Sequence, residues 1–386
     1  MTDPTSPTTP GRFSPLHELH VAGGASFTDF AGWQMPVSYG SDLAEHHAVR
    51  QAAGMFDISH MGELTVRGPD AGAFLDFALA GRISTVKLGQ AKYSLLLAEN
   101  GGIIDDLIAY RLAEDEYLVV ANAGNREAAF TALSARAAEF DVTVTDDSDD
   151  YALIAVQGPN AASILAATDG LGEFTTSLDD LGYYWTTTAR FNGTPVLVAR
   201  TGYTGEDGFE LYLAPDASTG LSTGAATDLW RALAAAGAPL GLMPAGLASR
   251  DTLRLEAGMP LYGHELSLDI RPEQAGLGRV VVLAKEGPFV GREAIEAGPV
   301  EGARVLVGLT AEGRRAARAG YAVFNGDTEI GIITSGALSP TLGHPIAMAY
   351  VDREVSEPGT TLDLDVRGTR IPATVTTMPF YTREKN

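Results

Sequence analysis

Three apolar runs, broken by two short turns, fill the stretch from Tyr93 to Asn122 and constrain the chain more than any other segment. Tyr93-Ser-Leu-Leu-Leu-Ala is followed by Glu99-Asn-Gly-Gly and then by Ile103-Ile-Asp-Asp-Leu-Ile-Ala-Tyr. Ala113-Glu-Asp-Glu separates this from Tyr117-Leu-Val-Val-Ala-Asn. Asn-Gly between apolar runs is a hairpin signal, because both turn positions require positive φ. The pattern predicts three antiparallel strands in a meander. Side chains alternate along a strand, so Ile104, Asp106, Ile108 and Tyr110 share one face and Ile103, Asp105, Leu107 and Ala109 the other. Both faces are mostly apolar, so the strand is expected to be covered on both sides, with one aspartate entering a protected place. An ionised carboxylate is costly to bury without partners. Register supplies one: if Arg111 pairs with Tyr117, Asp106 lies opposite Asn122, whose amide can hold the acid. Tyr93 comes within a residue or two of the same level. The alternative is a structural acid satisfied by backbone N–H groups.

The start of the chain is Pro-rich and reads as a flexible tail over residues 1–15. Phe27 to Gly40 is aromatic and turn-rich, with Pro36 breaking any helix. Asp42 to Ala53 reads as a helix capped by Ser41 or Asp42 and closed by Gly54. Further helices are expected from Gly68-Pro69-Asp70 to about Ala80 and from Asn125 to Phe140. Tyr151-Ala-Leu-Ile-Ala-Val-Gln-Gly-Pro-Asn-Ala then echoes Gly62-Glu-Leu-Thr-Val-Arg-Gly-Pro-Asp-Ala. Each is a strand, Gly-Pro-Asx-Ala and a helix, which hints at two related α+β halves. The strand Pro195–Arg200 leads into Thr201-Gly-Tyr-Thr-Gly-Glu-Asp-Gly, where Gly202, Gly205 and Gly208 permit close approach of backbone to a ligand. No Gly-Lys-Ser/Thr is present and no helix opens after it, so it is not a phosphate loop. On the next strand Glu210 and Tyr212 face one way and Phe209, Leu211 and Leu213 the other. Helices follow at about Ala225–Ala236 and Pro244–Ala257, the second ended by Gly258. Arg250 and Arg254 share one face of it, with Asp251 and Glu256 placed to neutralise them as solvated salt bridges. From Ala303 onward six short strands with Asn325-Gly326 and Arg367-Gly368 turns predict a small β-barrel. The expected division is a region 16–290 of two α+β subdomains and a barrel domain 291–386.

Composition narrows the function. The chain has 386 residues and a formal charge of −22, which disfavours extended nucleic-acid binding. With no cysteine there is no disulfide framework, thiolate metal site or cysteine nucleophile. Nothing approaches the roughly 20 apolar residues of a membrane span, and the N-terminus lacks the features of a signal peptide, so no membrane association and a cytoplasmic location are expected. Glu45-His46-His47 and His60 lack the spacing of a helical zinc site, and no metal is expected. There is no Gly-x-Ser-x-Gly elbow and no dinucleotide fingerprint. The residues alone leave a set of polar groups, Asp106, Asn122, Tyr93, Tyr203, Glu210 and Arg250, that fits a small-molecule site with an acid.

Seven segments, in order, add a resemblance that spans about Leu16 to Arg383. They are Glu45-His-His-Ala-Val-Arg, Gly54-Met-Phe-Asp-Ile-Ser-His-Met, Gly101-Gly-Ile-Ile-Asp-Asp-Leu-Ile, Ala155-Val-Gln-Gly-Pro-Asn, Thr201-Gly-Tyr-Thr-Gly-Glu-Asp-Gly-Phe-Glu, Ala248-Ser-Arg-Asp-Thr-Leu-Arg-Leu-Glu-Ala-Gly and Gly331-Ile-Ile-Thr-Ser-Gly. The sequence resembles the T-protein family of the glycine cleavage system, the aminomethyltransferases. The resemblance implies a cloverleaf-like arrangement of folate-binding α+β subdomains around a central channel, with a C-terminal β-barrel. It implies tetrahydrofolate in that channel as co-substrate, and lipoylated H-protein as the partner that brings a sulfur-bound aminomethyl group. Ammonia is released and methylenetetrahydrofolate formed. Matched position by position, Asp106 is the family's essential acid, Glu210 and Arg250 are substrate-contacting, and Tyr93, Asn122, Tyr203 and Met61 line the pocket. Other readings on the same scaffold are a folate-dependent demethylase and a non-catalytic folate-binding protein. H-proteins are usually acidic, so a basic patch near the channel mouth is expected, with Arg254, Arg279 and Arg292 as candidates.

Overall fold

The computed structural model describes residues 11–213 and 223–383. Its centre is a pair of sheets packed face to face. The smaller contains the expected meander, Ala91–Leu97, Ile103–Ala113 and Glu116–Ala121, extended by Gly62–Arg67 and Thr143–Asp146 into five strands. The larger has seven strands, with Ala152–Gln157 between Gly208–Leu213 and Ala53–Asp57, and the short Leu242–Pro244 at one edge. Period-2 alternation decides what each face meets. In the larger sheet Ile154 and Val156 pack outward with Ile164, Leu229 and Leu233 of two helices, Ala161–Ala167 and Thr223–Gly237. In the smaller, Leu64, Val66 and Leu107 pack outward with Phe74, Leu75 and Leu133 of the helices Ala71–Ala78 and Arg126–Arg136. Between the sheets lie Phe56, Tyr110, Leu118, Leu153, Ala155 and Tyr212. Both faces of the Ile103–Ala113 strand are therefore covered, as its pattern requires.

The two Gly-Pro-Asx-Ala segments occupy equivalent places, each turning a central strand into the helix that covers it. Gly68 has φ +143° and Gly158 φ +134°, and a Cβ would come within 2.2 Å of Asp141 O or 2.6 Å of Ala52 O. Only glycine fits either turn. The C-terminal region closes into a six-stranded barrel over Val305–Ala311, Ala322–Asn325, Thr328–Leu338, Pro345–Val351, Thr361–Val366 and Thr369–Thr376. Both expected hairpin turns are present, with Arg367 and Gly368 at φ +54° and +80°.

Several expectations need correction. Of the tail 1–15, residues 1–10 lie outside the described residues. From Arg12 the chain is fixed: Arg12–Phe13 pairs with Trp33–Gln34, and the Ser14 hydroxyl donates to buried Asp57, which His20 Nε2 also meets at 2.8 Å. The stretch Phe27 to Gly40 forms two paired strands, Ser26–Phe30 and Trp33–Ser38. The helix Asp42–Gln51 is capped by Ser41, but Gly54 does not close it. Gly54 lies in the next strand, where a Cβ would meet Val49 Cγ2 at 2.4 Å. The later helix starts at Leu247 rather than Pro244, because Leu242–Pro244 pairs with Ala53–Met55 as an edge strand.

The solvated-salt-bridge reading of that helix holds for Asp251, which is half exposed and meets Arg254 at 2.7 Å, and fails for the rest. Arg254 is 1% exposed and pairs with Glu265 Oε2 at 3.0 Å, while Glu256 is fully buried against His46, Arg50, Ser339 and Thr341. Burial alone would raise the Glu256 carboxyl, but hydrogen bonds and charge from His46, Ser339 and Arg50 hold it at about 2. These groups dock the barrel onto the sheets, so the helix face that carries them never meets water.

Candidate active site

A cavity of about 610 Å³ opens between the two sheets and is walled on one side by the segment Gly258–His264. All seven sequence-predicted residues line it: Met61, Tyr93, Asp106, Asn122, Tyr203, Glu210 and Arg250. The meander register is the expected one, with Arg111 opposite Tyr117 and Ile108 opposite Val120. Asn122 Nδ2 accordingly reaches Asp106 Oδ1 at 2.8 Å, and the Tyr93 hydroxyl donates to Asp106 Oδ2 at 3.0 Å. Burial raises the Asp106 carboxyl to about 6, against the pull of these two hydrogen bonds.

Asp105, on the opposite face of the strand, does not reach the cavity and is fully buried. It accepts from Asn122 N at 3.0 Å, Asn122 Nδ2 at 2.8 Å and Asn125 Nδ2 at 2.7 Å. Burial, and then the neighbouring Asp106 charge, raise it further than Asp106.

Glu210 sits across the cavity on the larger sheet. Its Oε2 accepts from Thr201 Oγ1 at 2.6 Å and from the Tyr212 hydroxyl at 3.2 Å. Oε1 takes no hydrogen bond from the described residues. The Arg250 guanidinium lies 4.8 Å from the centre of the Tyr203 ring and forms no ion pair among the described residues. Tyr203 in turn donates to Pro260 O, which ties it to the cavity wall. Gly202 lines the cavity, but the glycine requirement of its loop comes from the protein itself. A Cβ on Gly202 would approach Gln157 Oε1 to 1.9 Å, and one on Gly208 would come within 2.5 Å of the same side chain.

Sequence reasoning missed Phe30, His60, Tyr184, Tyr262 and His264, which also line the cavity. Burial, with Arg250 nearby, lowers His60 to about 4, so its ring is neutral at physiological pH. In the sequence His60 is weighed only as a metal ligand, although it stands beside Met61. Of the expected basic patch, Arg254 is excluded by its burial against Glu265. Arg292 pairs with Glu296 at 2.9 Å and donates to three backbone carbonyls, those of Lys285, Gly287 and Leu283. Arg279 is exposed.

Two sheets thus clasp a cavity whose far wall is held by the barrel. The GCVT N-terminal domain matches residues 16–285, and the glycine cleavage T-protein C-terminal barrel domain matches 304–382. An aminomethyltransferase of Cutibacterium acnes is 59% identical over 377 residues, covering 96% of this chain and 99% of the relative. One from Streptomyces avermitilis is 55% identical over 380 residues, covering 97% and 98%. The crystal structure of glycine cleavage system aminomethyltransferase T from Bartonella henselae superposes with a TM-score of 0.85 at 38% identity, covering 96% of this chain and 98% of that one. The chain belongs to the glycine cleavage T-protein family and is an aminomethyltransferase of that system. The family uses tetrahydrofolate as substrate, and a T-protein implies an H-protein partner. Among the described residues no helix is long and apolar enough to cross a membrane.

Proposed function

We propose that tetrahydrofolate binds in the cavity and that Asp106 serves its reaction with a sulfur-bound aminomethyl group on the lipoyl arm of H-protein. The observation that carries this reading is a cavity-lining carboxylate held by two neutral donors, Tyr93 and Asn122. The cavity volume falls in the roughly 300–1,000 Å³ range of ligand sites. Met61, Tyr184 and Tyr203 suit a flat ring. Glu210 has an oxygen available to accept from an edge of adjacent N–H donors, such as a pterin presents. Arg250 supplies positive charge beside Tyr203.

When bound, tetrahydrofolate supplies the nitrogen nucleophiles. Asp106 orients them, stabilises the positive charge that develops as the one-carbon unit changes carrier, and accepts the proton shed when the second C–N bond closes. Ammonia leaves, and the arm is released as its dithiol. Formation of methylenetetrahydrofolate from aminomethylated H-protein, with stoichiometric ammonia, tests the reading; folate binding without product overturns it.

Two outcomes follow for the site. Glu210→Gln is expected to weaken tetrahydrofolate binding by about 10- to 100-fold, the worth of a hydrogen bond to a charged acceptor, with kcat changed less. Titration calorimetry giving an unchanged Kd would exclude Glu210 from the contact. Because the Asp106 carboxylate is the working form, kcat is expected to hold above neutrality and to fall as pH drops through about 6. A kcat independent of pH between 8 and 5, roughly, would contradict this.

We also propose the division of the chain into 16–290 and 291–386, supported by the change from mixed sheets to a closed barrel whose first strand begins at Val305. For H-protein docking the candidate cation is Arg279, two residues from cavity-lining Leu277. Arg279→Glu is expected to raise the apparent KM for H-protein several-fold at low salt, and less at high salt. Equal KM values would remove Arg279 from the docking face.

A further inference from the structure

One side-chain amide joins the two aspartates of the central strand. Asn122 Nδ2 is 2.8 Å from Asp105 Oδ1 and 2.8 Å from Asp106 Oδ1. Asp106 faces the cavity, whereas Asp105 is enclosed on the helix side of the sheet and has no route to a substrate. Asp105 nevertheless takes three hydrogen bonds, from Asn122 N, Asn122 Nδ2 and Asn125 Nδ2. Two of them come from the residue that holds Asp106.

We infer that Asp105 is a positioning residue of the transfer reaction: through Asn122 it fixes the Asp106 carboxylate. The inference rests on the proposed role of Asp106. Carboxylates coupled so closely take up protons as a pair, in two steps that belong to neither alone. The first ionised carboxylate makes the second harder to ionise: the Asp106 charge adds to burial in raising Asp105, whereas Asp106 is raised by burial. The other titratable groups facing the pair are phenols: Tyr93 hydrogen-bonds Asp106, and Tyr184, Tyr203 and Tyr262 approach from other elements. Burial raises all four, so they stay neutral through the range in which the carboxylates titrate. Among the described residues no lysine or arginine is hydrogen-bonded or ion-paired to either carboxylate.

The test is the pH profile of kcat in Asp105→Asn, which keeps shape and removes charge. Wild-type kcat is expected to fall in two steps, between about pH 7 and 6. The variant is expected to fall in one, with plateau kcat lowered about 10- to 100-fold by misplacement of Asp106, and with folate Kd within about threefold. A variant that keeps the two-step limb, or full kcat, overturns the inference. Asn125→Ala provides a second reading should Asp105→Asn fail to fold. It removes one donor to ionised Asp105 and is expected to move the acid limb to higher pH; an unmoved limb overturns the inference equally. Asp106→Asn keeps the two failures apart. If that variant is active, the role of Asp106 falls; if it is dead while Asp105→Asn keeps the wild-type profile, only the role of Asp105 falls.

Discussion

Asp106→Asn is expected to lower turnover at least about a hundredfold, to leave tetrahydrofolate affinity within a few-fold, and to leave the melting temperature unchanged or higher. The activity loss follows from the proposed chemistry: a preorganised group aimed at developing charge is worth about 3–4 kcal/mol, or 10²–10³ in rate. The amide keeps the shape and one acceptor, so binding built on Glu210, Arg250 and the aromatic walls persists. The stability outcome comes from linkage. The folded-state pKa of Asp106, about 6, is raised above the ordinary value of 3.8. A group so displaced prefers its protonated form in the fold, so ionisation costs stability as pH rises from the unfolded toward the folded pKa. At neutral pH the variant no longer bears that cost. Single-turnover kinetics, folate titration and thermal melts at pH 7.5 measure all three quantities. Near-normal turnover would remove Asp106 from the chemistry, and turnover lost together with fold would make it a structural acid.

The part of the site that could be read from sequence is the part built from neighbours in the chain. Asp106, Asn122 and Tyr93 belong to one meander, whose turns and two-residue period leave little freedom of register, so their meeting followed from counting. Asp105 shows where counting stops. Its partner Asn125 comes from a 3₁₀ turn after the last strand, a geometry that alternation does not foresee. His60, Tyr184 and Tyr262 arrive from loops of three different regions, and only the packing of one sheet on the other brings them to the cavity. The strand order of the larger sheet was equally invisible, since Ala152–Gln157 lies beside Ala53–Asp57, about a hundred residues earlier. The barrel was legible, because its hairpins are local and its strands short and alternating. What the barrel covers was not, and that is why Arg254 and Glu256 read as solvated.

Arg254→Ala is expected to cost about 3–5 kcal/mol of folding stability, the range for removing one partner of a buried ion pair. Arg254 Nη1 is 3.0 Å from Glu265 Oε2, and the two side chains are 1% and 0% exposed. Nη2 also donates to Ser335 Oγ at 2.7 Å on a barrel strand. Glu265 Oε2 accepts from Leu261 N at 2.9 Å, and the Tyr350 hydroxyl of the barrel donates to Glu265 O at 2.7 Å. The pair therefore fastens the Gly258–His264 wall of the cavity to the barrel. Truncating the arginine leaves an unpaired carboxylate with no water to solvate it. Glu265 already has one oxygen, Oε1, buried without a partner, so the site has little slack to absorb the loss. The same argument gives the sign for the double variant. Arg254→Met with Glu265→Leu removes both buried charges together, leaves only the half-exposed Asp251 without its partner, and is expected to recover most of the stability. Activity is expected to separate from stability there. The double variant lacks the acceptor that holds Leu261 N, so the wall loosens and the KM for tetrahydrofolate rises although the fold is restored. Denaturant melts of the single and double variants, with KM measured on the double, decide the matter. A loss below about 1 kcal/mol in Arg254→Ala would rank the pair with exposed salt bridges, and an unchanged KM in the double variant would free the cavity wall from dependence on the barrel.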